Sequence, residues 1–425
     1  MRRVLVVSFR FPPHGDGGVH RVAAFTKYLP RFGWRPHVLT GPFRGQRSLY
    51  DPSLVEKIPP AVDVTRSGHW STKGLDRWLR RLHILPLVRM LTPSLPMTEA
   101  TWIPFGYRTG TTLLDLGDFD AIYSSAYPMS SHIVAGLLAR RSGLPWVADY
   151  RDEWSTRSVL KWPTPWHRRL AYRIDRKLTT AANRVVTTSP LHTEIFQRTF
   201  RVDGPGHYVT ITNGFDEEDF DDDPIPPGSS APRNDRFSVA HVGSLGSGRS
   251  GDGLLAAVRK LTETGRIPAD EIELLFVGRT KGLEGNELEE RGILRRIDLI
   301  PHPEAVNTMR LADLLVLINN EGENILGKTF EYLAAMRPIL ALVPLGATAD
   351  IVEETGAGVV FSPEDVEGIA EALADSFQRW KEGRLDATTD PARIRGYSRR
   401  ETTRGLGEVL DAAAGPQKAE RSLAR

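Results

Sequence analysis

Cysteine is absent from this chain of 425 residues, which excludes disulfides and thiolate-held metals and fits a reducing compartment. Long apolar runs are missing as well. No stretch of about 20 apolar residues, the length that crosses a bilayer, occurs in the sequence. At the N-terminus, MRRVLVVSFRFPP, two arginines precede an apolar run of only four residues, too short for the core of a secretory signal. An excess of either charge is also lacking. Lys and Arg number 55 against 53 Asp and Glu, a formal net charge of +2, which provides no general field to attract nucleic acid. These absences point to a cytoplasmic protein, soluble or peripheral on the inner face of a membrane, without a nucleic-acid partner.

What is present is an alternation of apolar strands and amphipathic helices, in a chain long enough for two cores of roughly 200 residues each. The expected class is α/β. Residues 1–215 read as a first Rossmann-like domain, 216–236 as a linker, 237–385 as a second such domain, 386–412 as a helical segment returning to the first, and 413–425 as a disordered tail. Strands are predicted at 4–7, 37–39, 62–64, 121–123, 146–148, 185–189 and 208–212, then at 237–242, 274–277, 298–300, 314–318 and 339–343.

Both halves open on the same plan. Residues 4–7 lead through SFRFPPHGDGG into a helix bearing Val22, Phe25, Leu29 and Phe32, and 237–242 lead through GSLGSGRSGDG into one bearing Leu254, Leu255, Val258 and Leu261. A strand, a glycine loop and a helix N-terminus in that order let the backbone approach a phosphate. Gly17 and Gly18 in the first half and Gly243 in the second are therefore candidate binding positions. A tight turn that needs glycine on steric grounds alone accounts for the first pair equally well. The acids Asp221 to Asp223 read as solvated linker rather than as a metal site, and no metal ligands are assigned.

The chain is organised around residues 313–342, DLLVLINNEGENILGKTFEYLAAMRPILAL. Two continuous apolar runs, as expected of strands buried on both faces, enclose a polar loop and a short helix. The loop leaves the C-terminal end of its strand, where open α/β sheets bind ligands. Gly327 opens the helix, whose free N–H groups favour an anion, and Lys328 adds a positive charge. Glu323 and Glu331, eight residues apart, are placed to accept hydrogen bonds from vicinal hydroxyls such as those of a sugar or ribose. Here the sequence resembles the retaining, nucleotide-sugar-dependent glycosyltransferases of GT-B fold, family four. Their E-x7-E motif fits Glu323 to Glu331, and GKTFEYLAAMRPIL is similar to its usual continuation. The resemblance runs from Val4 to about residue 375, and includes the turn Asn213, Gly214, Phe215, Asp216.

The resemblance implies two Rossmann-like domains facing each other across a cleft, with transfer of a sugar from a UDP-, GDP- or other nucleoside-diphosphate sugar to an acceptor hydroxyl and without a required metal. Gly17 and Gly18 would lie in the cleft with Arg21 near them, Arg249 would take the diphosphate, and Gly278 and His302 would stand at strand ends facing the nucleotide. Glu331 would hold the ribose, Glu323 the donor sugar, and Arg249 with Lys328 would stabilise the departing diphosphate. The segment ADYRDEW, 148–154, resembles the family's DFRDPW-type segment with Tyr150 and Glu153 as departures. Asp152 is the choice there for orienting or deprotonating the acceptor; an Asp–Arg pair that merely fixes the loop is the competing reading. His132 is a weaker candidate. The acceptor is expected to be a sugar, a lipid-linked glycan or a small molecule, in glycan, glycolipid or natural-product synthesis. A two-domain nucleotide-sugar 2-epimerase and a non-catalytic nucleotide-sugar binding protein are the alternatives.

One insertion, 69–108, carries Lys73, Arg77, Arg80, Arg81, Arg89 and Arg108 among Trp70, Trp78, Trp102 and several leucines. Two readings fit it: a basic amphipathic element on an anionic membrane surface, or a helix packed on its own domain with a solvated basic face. The run 154–177 is also basic and rich in tryptophan.

Overall fold

The computed structural model describes residues 1–15, 17–43, 50–70, 81, 97–156, 162–202, 204–221, 230–233, 235–245, 251–280, 285–320, 322, 325–386 and 389–416. The chain divides into two units, the first Met1–Thr212 together with the C-terminal residues from Arg399, the second Asn213–Ser398.

The first unit is built on β1 (Arg2–Val7), β2 (Trp34–Thr40), β3 (Asp63–Arg66), β4 (Ala121–Ala126), β5 (Trp146–Tyr150), β6 (Arg184–Thr187) and β7 (Tyr208–Thr210). They form one parallel sheet in the order β3-β2-β1-β4-β5-β6-β7. Its longer helices are α1 (Gly17–Tyr28), α2 (Ile103–Leu116), α3 (Ser130–Ser142), α4 (Pro165–Ala181) and α5 (Pro190–Thr199). The second unit carries β8 (Phe237–Val242), β9 (Ile272–Val277), β10 (Leu294–Ile297), β11 (Leu314–Ile318), β12 (Ile339–Leu342) and β13 (Gly358–Phe361), a parallel sheet in the order β10-β9-β8-β11-β12-β13. Its longer helices are α6 (Asp252–Glu263), α7 (His302–Leu311), α8 (Gly327–Ala334), α9 (Ala347–Glu354) and α10 (Val366–Lys381), and α11 (Arg399–Ala414) belongs to the first unit.

Strand residues alternate between two cores because successive side chains leave opposite faces of a pleated sheet. Val4 and Val6 of β1 lie in one apolar cluster, Leu5 and Val7 in the other. Helices cover both faces, so central strands such as β8, β9, β11 and β12 are buried throughout rather than on alternate residues. In the first unit Leu406 and Leu410 of α11 enter the cluster that holds Val22 and Phe25 of α1. Asp411 accepts hydrogen bonds from Arg2 Nη1 at 2.8 Å and Trp34 Nε1 at 3.2 Å.

Three differences from expectation have physical causes. The strand predicted at 298–300 lies instead at Leu294–Ile297, an edge position where the run LRRI needs only one dry face; Leu299 is exposed. The strand predicted to reach Ser189 ends at Thr187, because Ser189 caps α5 by accepting the His192 amide at 3.0 Å. The start of the expected linker is folded: Glu218–Asp221 is a short helix in the second unit, and Phe220 packs edge-on against Phe215.

Of the insertion, 71–80 and 82–96 lie outside the described residues. Trp102 is not on a solvent or membrane face. It is fully buried in the sheet core, and its Nε1 donates to Ser67 Oγ at 2.6 Å.

Asp175 of α4 is also fully buried, where its Oδ2 accepts the Ser155 amide at 3.0 Å and so ties the loop after β5 to the helix. Burial pushes its carboxyl up to about 7, against the opposing hydrogen bonds from Ser155. An acid whose pKa rises on folding keeps its proton in the native state, so its stabilisation is complete below the unfolded value and is lost as pH rises toward 7. The slope is about 1.4 kcal/mol per pH unit. Asp175→Asn removes this term, so its melting temperature should gain on that of the wild type between about pH 4 and 7 and then hold a constant lead. A difference that stays flat across that range would contradict the assignment.

Candidate functional site

Both sheets reverse strand order beside their first strand, between β1 and β4 and between β8 and β11. At such a point the connections leave in opposite directions, and a crevice opens at the carboxyl ends of the strands. In the second unit the opening begins early. Register pairs Leu314 with Val239 and Leu315 with Ala240, after which the strands diverge. Side chains then satisfy the separated backbone groups. His241 Nδ1 donates to Val316 O at 2.9 Å, and Tyr332 Oη accepts the Val242 amide at 2.7 Å. Tyr332 is fully buried, which holds its hydroxyl proton well above the ordinary range. It comes from α8 and so fixes that helix against the splayed strands.

Helix α8 begins at Gly327, and its N-cap residue, Leu326, provides no side-chain cap. A Cβ at Gly327 would meet nothing within 4 Å, so the backbone there is approachable. In the first turn Lys328 Nζ forms an ion pair with Glu331 Oε2, both side chains being partly exposed. The loop that leads into α8 is strapped to the one after β12: Ala347 N donates to Gly322 O at 2.9 Å, and a Cβ at Gly322 would lie 2.6 Å from Leu345 O. At the neighbouring strand ends Gly243 N donates to Val277 O at 2.8 Å. Gly278, with φ of +125°, brings its Cα so close that a Cβ would lie 2.6 Å from Gly243 O. Gly243, Gly327, Lys328 and Glu331 thus stand on the elements that border one crevice. Arg249 and Glu323 lie outside the described residues.

His302 requires correction. It is not at a strand end but is the first residue of α7, where its Nε2 lies 3.1 Å from Asp219 Oδ2. The Pro301 before it and the Pro303 after it favour a helix start over a strand.

In the first unit Gly17 is open, whereas a Cβ at Gly18 would fall 1.3 Å from Arg151 Nη1. Glycine there lets the Arg151 guanidinium lie across the start of α1. The same side chain donates from Nη2 to Tyr127 O at 3.2 Å and from Nε to Asp152 Oδ2 at 3.3 Å. Asp152 remains 43% exposed at the carboxyl end of β5. Arg21 does not reach toward a ligand. It is buried and holds Asp149 through Nε at 2.9 Å and Nη2 at 3.0 Å, while Tyr123 Oη donates to the same carboxylate at 2.6 Å. It also donates to the carbonyls of Ile211 and Thr212. The segment's own Asp–Arg pair, Arg151–Asp152, is thus present and partly exposed, while the buried pair is Arg21–Asp149, which ties α1 to β5. His132 is fully buried against Ser124 Oγ at 2.8 Å, and burial lowers its pKa to about 3. It is a neutral part of the framework.

Sequence reasoning missed Tyr332 and His241. Nothing in their spacing shows that one hydroxyl and one imidazole must bridge the strands; the signal lies in the two-residue register of β8 with β11.

Two family models match: Glycosyl transferase 4-like domain over residues 4–214, and Glycosyl transferases group 1 over residues 236–379. A comparison with curated proteins gave no match. Among solved structures, a glycosyltransferase from Rickettsia africae superposes with a TM-score of 0.66 at 14% identity, over 98% of this chain and 99% of that one. The Anabaena protein HepE, crystallised with UDP and also with UDP-glucose, gives 0.62 at 14% identity over 97% and 100%. WaaG, a glycosyltransferase of lipopolysaccharide biosynthesis, gives 0.58 at 14% identity over 98% and 100%. Two parallel sheets of seven and six strands, together with both family models, assign the chain to the GT-B glycosyltransferases of the family 4-like group.

Proposed function

We propose that this glycosyltransferase takes its sugar from a nucleoside diphosphate sugar, transfers it with retention of configuration to an acceptor hydroxyl, and needs no metal to do so. The observation that carries the reading is the start of α8 beside the β8–β11 crevice, where Leu326 offers no side-chain cap and Lys328 and Glu331 stand in the first turns. UDP and UDP-glucose bound to HepE, a protein of the same fold, support a nucleotide sugar as donor.

The roles follow from the chemistry of each group. Free N–H groups at the start of α8 and the Lys328 ammonium meet the diphosphate, where negative charge grows as the glycosidic bond breaks. Arg249 is assigned to the same charge. Glu331 accepts from the ribose hydroxyls and Glu323 from the donor sugar. Opening of the Lys328–Glu331 ion pair would release both groups to the ligand; partly exposed, that pair contributes little stability by itself. Asp152, already within reach of Arg151, orients or deprotonates the acceptor hydroxyl.

Nucleoside diphosphate release is the discriminating assay. A transferase forms it in proportion to added acceptor, an epimerase turns over the sugar without a lasting need for acceptor, and a binding protein forms none. Glu331→Gln keeps the shape but loses the charge that strengthens the ribose hydrogen bonds. Donor affinity by calorimetry should therefore fall by about 1.5–3 kcal/mol; unchanged affinity would remove the nucleotide from this helix. Lys328→Ala should lower kcat by about 100-fold or more while KM for the donor moves less, because its partner charge develops in the transition state. Wild-type turnover in that variant would return Lys328 to the surface.

A further inference from the structure

Helix α4 presents an unusual outer face. Arg168, Arg169, Arg173, Arg176 and Lys177 are all exposed on it. The helix has one acid, Asp175, which points inward and is fully buried. Among the described residues none of the five cations forms a side-chain ion pair. Arg169, Arg173 and Lys177 follow one another at intervals of four residues, so like charges face each other along the helix, an arrangement that weakens it. Arg168 and Arg169 also stand near the N-terminal end, where the helix dipole disfavours cations. Among the described residues the face is therefore without a compensating side-chain ion pair. Apolar groups are set among the charges. Trp166 is 54% exposed, and Leu170, Ile174 and Ile195 line a groove of about 1230 Å³ between α4 and α5. Glu194 on α5 is taken up by Arg198.

We propose that this face docks on an anionic phospholipid surface, with the basic side chains at the headgroups and Trp166 and the aliphatic groove at the acyl boundary. The charge pattern fits any polyanion, but the groove sets Leu170, Ile174 and Ile195 among the cations, and its aromatic residue Tyr172 is already stacked on Phe200 and bonded to Thr199 O, which favours lipid over nucleic acid. Ser155 and Thr156 line the same groove. They follow Asp152 on one loop, which Asp175 holds to α4 through the Ser155 amide. Docking here would present a lipid-linked acceptor to the loop that carries Asp152. That last step rests on the transferase reading; the docking itself does not.

The test is sedimentation of the full chain with phosphatidylglycerol vesicles, phosphatidylcholine vesicles serving as control. The wild type should bind the anionic vesicles alone, and the binding should disappear at about 1 M salt, where the screening length is about 3 Å. Each basic residue near such a surface contributes about fivefold in affinity. The combined variant Arg169→Glu, Arg173→Glu, Arg176→Glu should therefore lose at least about 100-fold, with an unchanged melting temperature and unchanged binding of UDP-glucose. Trp166→Ala, a smaller change, should weaken vesicle binding while sparing the fold. Absence of wild-type binding to anionic vesicles at low salt would overturn the proposal. So would binding that the triple variant retains in full, or that single-stranded RNA abolishes by competition. Loss of acceptor-dependent nucleoside diphosphate release with vesicle binding intact would instead count against the transferase reading and leave the docking face standing.

Discussion

The second unit depends on the early parting of β8 and β11. Parallel strands normally satisfy each other's backbone groups along their length, and an unpaired buried amide costs on the order of 1–3 kcal/mol. Here two register pairs suffice before the strands separate, because His241 and Tyr332 take over the Val316 carbonyl and the Val242 amide. The sheet can thus open a crevice without leaving polar groups bare. Since Tyr332 belongs to α8, the same bond that permits the opening also sets the helix whose free N-terminus borders it.

Two ion pairs differ in what it costs to separate them. Arg21 and Asp149 are both buried, bidentate and further bonded to Tyr123 and two carbonyls. Removing one partner would leave the other charged in a dry site, so the pair is fixed. Lys328 and Glu331 meet at a helix start with water in reach, and little is lost when they exchange each other for a ligand. Charge that is costly to separate holds the sheet; charge that is cheap to separate can exchange its partner.

Much of this was legible in the sequence because it depends on local pattern. Unbroken apolar runs marked nearly every strand, and the strand, glycine loop and helix plan appeared twice. Residues 314–334 were read in the right order of strand, loop and helix, with Gly327, Lys328 and Glu331 at the helix start. What was missed depends on partners distant in sequence. Arg21 looked like a cleft residue until Asp149, 128 positions away, claimed it. His302 looked like a strand terminus because Leu299 and Ile300 are apolar, although the edge strand had already ended at Ile297. Trp102 sat among basic residues and looked amphipathic, yet it fills the core under Ser67. Glycine at 18 was predicted from a backbone argument, whereas its observed neighbour is the Arg151 side chain.

The most direct test of the account is amide hydrogen exchange with and without saturating UDP-glucose or the nucleotide sugar that binds in its place. Nucleotide seated on the free N–H groups of α8 would slow exchange at 327–331 and in the segment after Gly243, with amides of the α1 start unchanged by the donor alone. Saturable binding that leaves 327–331 exchanging at the ligand-free rate would contradict the claim that this helix start receives the diphosphate.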